Sequence, residues 1–434
     1  MIKLTKELRA FEVIPSVVKA GETTEISIIP KSEKIVFEPE GCVVRIAPRE
    51  RRHMPRNEKF CVRPDKYHDM PMFVENGAIK FSFDFKYEQE YRIIILNKKG
   101  EKALEFSVYA LEEDLYGLLP YKGDLHLHTI RSDGGCTIPQ VVSSYREAGF
   151  DFICMTDHHK REPSIEAAEM IKDVDTGFTV FPGEEVHNCK MGYFHLVNFN
   201  GSYSVNEVLE ADYDNLFKKL REEAKTFETP DGIDAFEFLF RKWICDEIRK
   251  SGGKAIFCHP FWVTGEEYHT EIPMTFYSMR QGIYDIFEVI GGCTADGNHL
   301  QTAVYSELRA EGIDMPIVGS SDAHECFRHE GNSKFDERYT IVFAKDISEI
   351  SEAIMDHRSV AIHDLKEETP RAFGHFRLVK YAQFLLNNFY PMYAWRTRHL
   401  GAFMRAYLAD GDCKKTLERV NQEAQSFKNR YFGR

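Results

Sequence analysis

Apolar and polar positions change rhythm near residue 120. Before it, apolar residues alternate with polar ones in short runs at 24–29, 42–46, 79–85, 91–96 and 104–111. A period of two marks strands with one buried face, and turn-forming or charged stretches such as 19–22 and 97–100 separate them. The pattern predicts a small antiparallel β-sandwich over residues 1–115. Its Pro- and Arg-rich middle, 47–64, reads as a loop, with Arg49, Arg51, Arg52 and Arg56 as solvated charges rather than a basic patch.

From residue 121 short apolar runs alternate with amphipathic stretches. Strands are predicted at 123–128, 150–156, 179–186, 194–199, 254–261, 286–290 and 316–320, and helices at 137–148, 164–173, 205–226, 234–251 and 298–311. Seven strands in a βα series predict an α/β fold, a closed or nearly closed TIM-like parallel barrel over 121–363, with one more strand–helix–strand stretch at 340–363. Residues 364–434 read as a helical extension. Its stripe of Phe384, Leu385, Leu386, Phe389 and Tyr390, ending at Pro391, is expected to pack on the barrel, with a dimer interface as the alternative.

Composition narrows the partners. The length of 434 residues suits two domains, and the 43% hydrophobic content with 33 Phe is that of an ordinary globular chain. A net charge of -13 argues against general nucleic-acid or acidic-membrane binding. It leaves a small anionic substrate open, since bound cations can supply local positive charge. The ten Cys are scattered without a CxxC pair, as expected of buried thiols in a reducing compartment. The N-terminal residues carry no apolar core of a secretory signal, and no run approaches the roughly 20 apolar residues that span a bilayer. The expected location is cytoplasmic.

Chemistry is concentrated at the strand ends. In YKGDLHLHTIRSDGG, residues 121–135, Asp124, His126 and His128 alternate with Leu125 and Leu127, so both imidazoles leave an extended strand from one face, and Asp133 follows. The next strands end in Thr156-Asp157-His158-His159 and Pro182-Gly183-Glu184-Glu185. The fourth opens with His195, the fifth closes on His259-Pro260, and the last closes on Ser321-Asp322-Ala323-His324. Five of these six sites lie at a strand's carboxyl end, where barrel active sites are built. A single His beside an apolar strand is usually a core residue, but six such sites aimed at one place need partners. Metal ions are the economical partner, and six His with three carboxylates exceed the four to six ligands of one ion, so two or three are implied.

The motifs DLHLHT with SDG, TDHH, PGEE, the His195 element, HP and SDAH resemble, in order and spacing, those of the polymerase and histidinol phosphatase (PHP) superfamily over about residues 121–363. The resemblance implies a distorted seven-stranded β/α barrel with a trinuclear metal site. It assigns His126, His128, Glu185 and Asp322 to one ion, with Glu185 bridging to a second held by His195 and His259. Asp133, His158 and His324 would hold the third. The family pattern places the ligand second after the Gly, which selects Glu185 over Glu184. The cofactors expected are two to three divalent ions, Mn, Zn or Fe, which the donor types alone do not separate.

Such ions make hydroxide available near neutral pH, which points to a metal-dependent hydrolase. No nucleophile elbow, P-loop or GxGxxG signature offers another route. A phosphate ester is the expected small-molecule substrate, because several cations suit a charge spread over phosphoryl oxygens. Arg131, His159, Lys160, Arg161, His187 and Arg328 are candidates to steer it, His159 first, as a phosphate contact or proton donor. Two other readings stand beside this one. An N-terminal β domain before the barrel is similar to the carbamate-hydrolase-like branch of the superfamily, whose substrate would be a carbamate or amide ester in a more apolar pocket lined by Phe261, Trp262 or Phe327. The third reading is a binding or structural module without catalysis. The oligomeric state is left open by the sequence.

Overall fold

The structure is a computed structural model that describes residues 5–50, 67–187, 194–326, 335–365 and 368–434. Arg51, Arg52, Arg56, Phe327 and Arg328 lie outside the described residues. The chain forms two compact units: Ile2–Leu119 with Gln383–Arg396 and Gln422–Arg434, and Pro120–Ala382 with Thr397–Asn421.

The first unit holds β1 (Phe11–Ile14), β2 (Val17–Lys19), β3 (Thr23–Pro30), β4 (Val43–Pro48), β5 (His68–Pro71), β6 (Phe73–Glu75), β7 (Ala78–Asp84), β8 (Gln89–Leu96) and β9 (Lys102–Leu111). They make a four-stranded sheet, β1-β3-β7-β6, and a five-stranded one, β2-β9-β8-β4-β5. Alternation does what its period requires: Tyr91, Ile93 and Ile95 of β8 turn inward and join Phe11, Ile26, Ile28, Phe81 and Phe106 in one core. The pairings are antiparallel except β2 with β9, which is parallel, and the chain passes from one sheet to the other between β1 and β2.

Rings of the C-terminal aromatic stripe, expected to pack on a barrel, find partners within this unit. Phe384 lies against Tyr109, and Phe389 is ringed by Tyr393, Phe427, Tyr431 and Phe432. Periodicity shows that a helix face is buried; it does not encode what covers it.

The second unit contains β10 (Leu119–Asp124), β11 (Phe152–Cys154), β12 (Thr179–Phe181), β13 (Gly183–His187), β14 (His195–Phe199), β15 (Lys254–Phe257), the hairpin β16 (Val263–Thr264) and β17 (Glu267–Tyr268), β18 (Ile286–Ile290), β19 (Ile317–Gly319), β20 (Arg338–Ala344), β21 (Ser359–His363) and β22 (Arg371–Phe373). Helices such as Ile138–Glu147, Glu162–Ile171, Ala235–Lys250 and Ala295–Ala310 alternate with them. The fold is mixed α/β.

The strand series differs from the expected single parallel ring in two ways. It falls into two sheets, β12-β11-β10-β20-β21-β22 and β13-β14-β15-β18-β19. Pro182 stands between β12 and β13, and a residue without an amide hydrogen interrupts a ladder. Second, β14 runs antiparallel to both β13 and β15, whereas β10, β11 and β12 are parallel, as are β15, β18 and β19. The connection from His187 to His195 is too short for the dozen or more residues of a parallel crossover. Among the described residues no helix is long and apolar enough to cross a membrane.

Candidate metal centre

The frame is set by buried carboxylates that point away from the cluster. Asp124, at the end of β10, accepts from the Tyr145 hydroxyl at 2.8 Å and from the Ser321 and His126 amides at 3.0 and 3.2 Å. Burial pushes its carboxyl up to about 6 against those bonds. Asp157 holds the loop after β10 through the Thr129 amide at 2.9 Å and the Ser132 hydroxyl at 2.7 Å. Glu184 accepts from Asn198 Nδ2, Ser204 Oγ, the Val205 amide and Asn206 Nδ2 at 2.6 to 2.9 Å. Period two on β13 therefore turns Glu184 to one face and Glu185 to the other.

Glu185 is the centre of what remains. Its Oε2 lies 3.2 Å from His126 Nε2, His128 Nε2 and His158 Nδ1. Its Oε1 lies 2.7 Å from His195 Nδ1 and 3.2 Å from His259 Nε2. Asp322 Oδ1 flanks it, 3.0 Å from His128 Nε2 and 3.4 Å from His126 Nε2. On the outer side Asp133 Oδ2 lies 3.1 Å from His324 Nε2 and 3.5 Å from His158 Nε2. All nine residues singled out in the sequence thus meet at one rim. The reversal of β14 explains how His195 joins them: its amino end lies where its neighbours have carboxyl ends.

The cluster's electrostatics follow from that crowding. Burial alone would raise Glu185, but the His195 and His126 imidazoles hold it well below the usual carboxylate range. Burial opposes charge on His126 and His128, yet the carboxylates win, putting His126 well above its usual value and His128 up to about 9. Among the described residues these buried atoms have no hydrogen-bond partner: His126 Nε2, His158 Nδ1, His195 Nε2, His259 Nδ1 and Glu185 Oε2. Each such group costs about 1–3 kcal/mol if left so. Imidazole nitrogens and carboxylate oxygens converging in overlapping groups of three or four fit divalent first-row ions.

Residues 124–245 match the family described as PHP domain. This segment is a PHP domain. Its matched span carries His126, His128, Asp133, His158, Glu185 and His195, while His259, Asp322 and His324 come from the chain beyond it. No curated protein matches the chain. Among solved structures, a two-domain protein from Bacteroides vulgatus containing a predicted PHP-like metal-dependent phosphoesterase is 19% identical, covering 58% of this chain and 66% of that one, TM-score 0.39. A protein from Bifidobacterium adolescentis assigned as a metal-dependent phosphoesterase is 16% identical over 54% and 95%, TM-score 0.37. An amidohydrolase from Chromobacterium violaceum with bound sulfate is 17% identical over 46% and 87%, TM-score 0.31. Similarity this low carries no statement about reaction or substrate.

Around the PHP domain's cluster the steering candidates divide. His159, at a left-handed φ of 60°, stacks on His187 with ring centres 5.2 Å apart, and His187 lies 4.2 Å from the His195 ring. Burial, with His195 and His158 nearby, pushes His187 down to about 3. The basic residues are engaged elsewhere: Lys160 donates to the Arg131 carbonyl, Arg131 pairs with Glu166, and Arg161 Nε donates to the Gly201 carbonyl at 2.8 Å. A cavity of about 220 Å³ opens over the cluster, and beyond the cluster residues it is lined by His187, Trp262, Thr264 and His269. Phe261, expected as lining, is instead buried in the apolar core around Phe240 and Phe287.

Two polar residues at the site escaped the sequence reading. Glu288 accepts from His126 Nδ1 at 3.1 Å and from the His259 amide at 3.3 Å. Its signal was a lone acid inside the apolar run IFEVI, all five residues of which are buried. His269 follows the β16–β17 hairpin, where no periodicity marks it.

Proposed function

We propose that this chain is a metal-dependent hydrolase that cleaves a small phosphate ester at the PHP domain. The observation that carries the reading is one buried carboxylate, Glu185, shared by five imidazoles and flanked by Asp322 and Asp133. In this reading His126, His128, Glu185 and Asp322 hold one ion, Glu185, His195 and His259 a second, and Asp133, His158 and His324 a third. Mn, Zn or Fe bound there would supply Lewis acidity and a water that ionises near neutral pH. Loading requires the imidazoles beside Glu185 to give up their protons. Glu288 fixes His126 through Nδ1 and so directs Nε2 to the carboxylates. His159, pushed below its usual value by burial and by His158 beside it, donates an N–H to a substrate oxygen at the lip. Arg131 and Lys160 add charge there without direct contact.

A seven-stranded β/α barrel beneath the site is supported by bridges between Leu127 and Ala323 and between His158 and Glu185, which link the two sheets. It is also supported by an apolar cluster that draws Phe152, Phe181, Val197, Ile256, Ile286 and Val318 from β11, β12, β14, β15, β18 and β19, with Leu125 just past β10.

A second reading, hydrolysis of a carbamate or amide ester, is favoured by the cavity lining, which among the described residues holds Trp262 and no Arg or Lys. Assaying Mn²⁺-loaded protein on phosphomonoesters, phosphodiesters and carbamate or carboxyl esters separates the two. Turnover confined to the last group sinks the phosphoesterase reading, and no turnover by fully loaded protein sinks both.

A further inference from the structure

The hairpin that follows His259 leaves the ligand wall and returns to it. Its base is closed by backbone hydrogen bonds from Trp262 to the His259 carbonyl at 3.0 Å, from His269 to the Trp262 carbonyl at 2.9 Å, and from Thr270 to the Pro260 carbonyl at 3.1 Å. Arg241, fully buried under Phe194, donates to Thr270 Oγ1 at 3.2 Å and pins the return. The excursion thus delivers one more imidazole, His269, to the cluster. Its ring centre lies 4.9 Å from that of His195 and 5.7 Å from that of His259. The three residues each offer a nitrogen within 4.8 Å of the others. Across the hairpin Thr264 Oγ1 sits 2.5 Å from His269 Nε2.

We infer that His269 is a tenth protein ligand, joining His195, His259 and Glu185 around the second ion to make a site of three imidazoles and one carboxylate. The inference rests on the reading of this cluster as a metal centre. Thr264 is the partner on the second ring nitrogen that ligating imidazoles characteristically have, leaving Nδ1 as the donor and fixing the ring's orientation. The consequence is chemical asymmetry among the ions. The first set has two imidazoles and two carboxylates and the third has two imidazoles and one carboxylate, whereas the second is nitrogen-rich with four protein ligands. Such a donor set suits tetrahedral Zn²⁺ or Co²⁺ better than the oxygen-seeking Mn²⁺.

The test uses full-length protein stripped by chelation and titrated with Co²⁺, followed by its visible absorption, and with Zn²⁺ against a chromophoric chelator. In His269→Ala the tightest Zn²⁺ step should weaken by about 100-fold and the intense tetrahedral Co²⁺ bands should collapse, while Thr264→Val should weaken the same step by about tenfold. Should His269→Ala not fold, His269→Gln and Thr264→Val decide by the same spectrum. Unchanged Co²⁺ bands and Zn²⁺ affinity in the folded variants overturn the assignment even if turnover drops, since that result makes His269 a substrate contact. Failure of the unsubstituted protein to bind either ion is a different outcome, and it removes the metal reading as a whole.

Discussion

The cluster has a deep wall and an outer lip, and they are built differently. On the wall the side chains of His126, His128, Glu185 and Asp322 are no more than 5% exposed. Glu185 lies within β13 and the other three closely follow β10 and β19, and His126 is held from behind by Glu288. On the lip Asp133 is 51% and His324 36% exposed, and both sit on loops. Those loops are stitched together by the Gly135 amide on the His324 carbonyl and the His128 amide on the Ala323 carbonyl. Gly134 permits the fit, for a Cβ there would come 2.7 Å from the His128 carbonyl oxygen. Charges on the wall have no water to fall back on, whereas those on the lip do. The wall should therefore fail as a unit and the lip one ligand at a time.

That contrast can be broken from either side. Glu185→Gln should have the largest effect, abolishing detectable turnover, emptying the whole centre by elemental analysis and costing about 3 kcal/mol or more of stability in urea unfolding, because five imidazoles lose their shared charge. An active, loaded Glu185→Gln protein would end the comparison. Glu288→Gln should weaken metal binding at the wall by about 10–100-fold through loss of the group behind His126. Asp133→Asn should lose about one ion per chain and leave the wall loaded; loss of all the ions would show that the lip is not separate. His159→Ala should lower turnover by about tenfold, the worth of one hydrogen bond, with metal content unchanged.

The residues of wall and lip were legible as one cluster because imidazoles and carboxylates at apolar strand ends have few structural explanations. Glu288 was not, since one acid in an apolar run carries no mark of the face it takes. His269 was hidden by the hairpin before it, whose length no pattern specifies. The βα alternation gave the mixed fold, but period two is blind to strand direction, so the reversal of β14 could not be read from 194–199. Pro182 was visible and could have marked the break between β12 and β13. The aromatic stripe around Phe389 announced burial and left its partner unnamed.

The adjacent carboxylates of β13 have one more consequence. A slip of that strand by one residue could carry Glu184 into the place of Glu185, and the cluster would still receive a carboxylate. What the slip would lose is an acceptor for the four donors from Asn198, Ser204, Val205 and Asn206 that Glu184 now satisfies, because Gly183 would stand opposite them. Those donors act as a proofreading device, letting the chain distinguish two chemically identical side chains by what stands behind them.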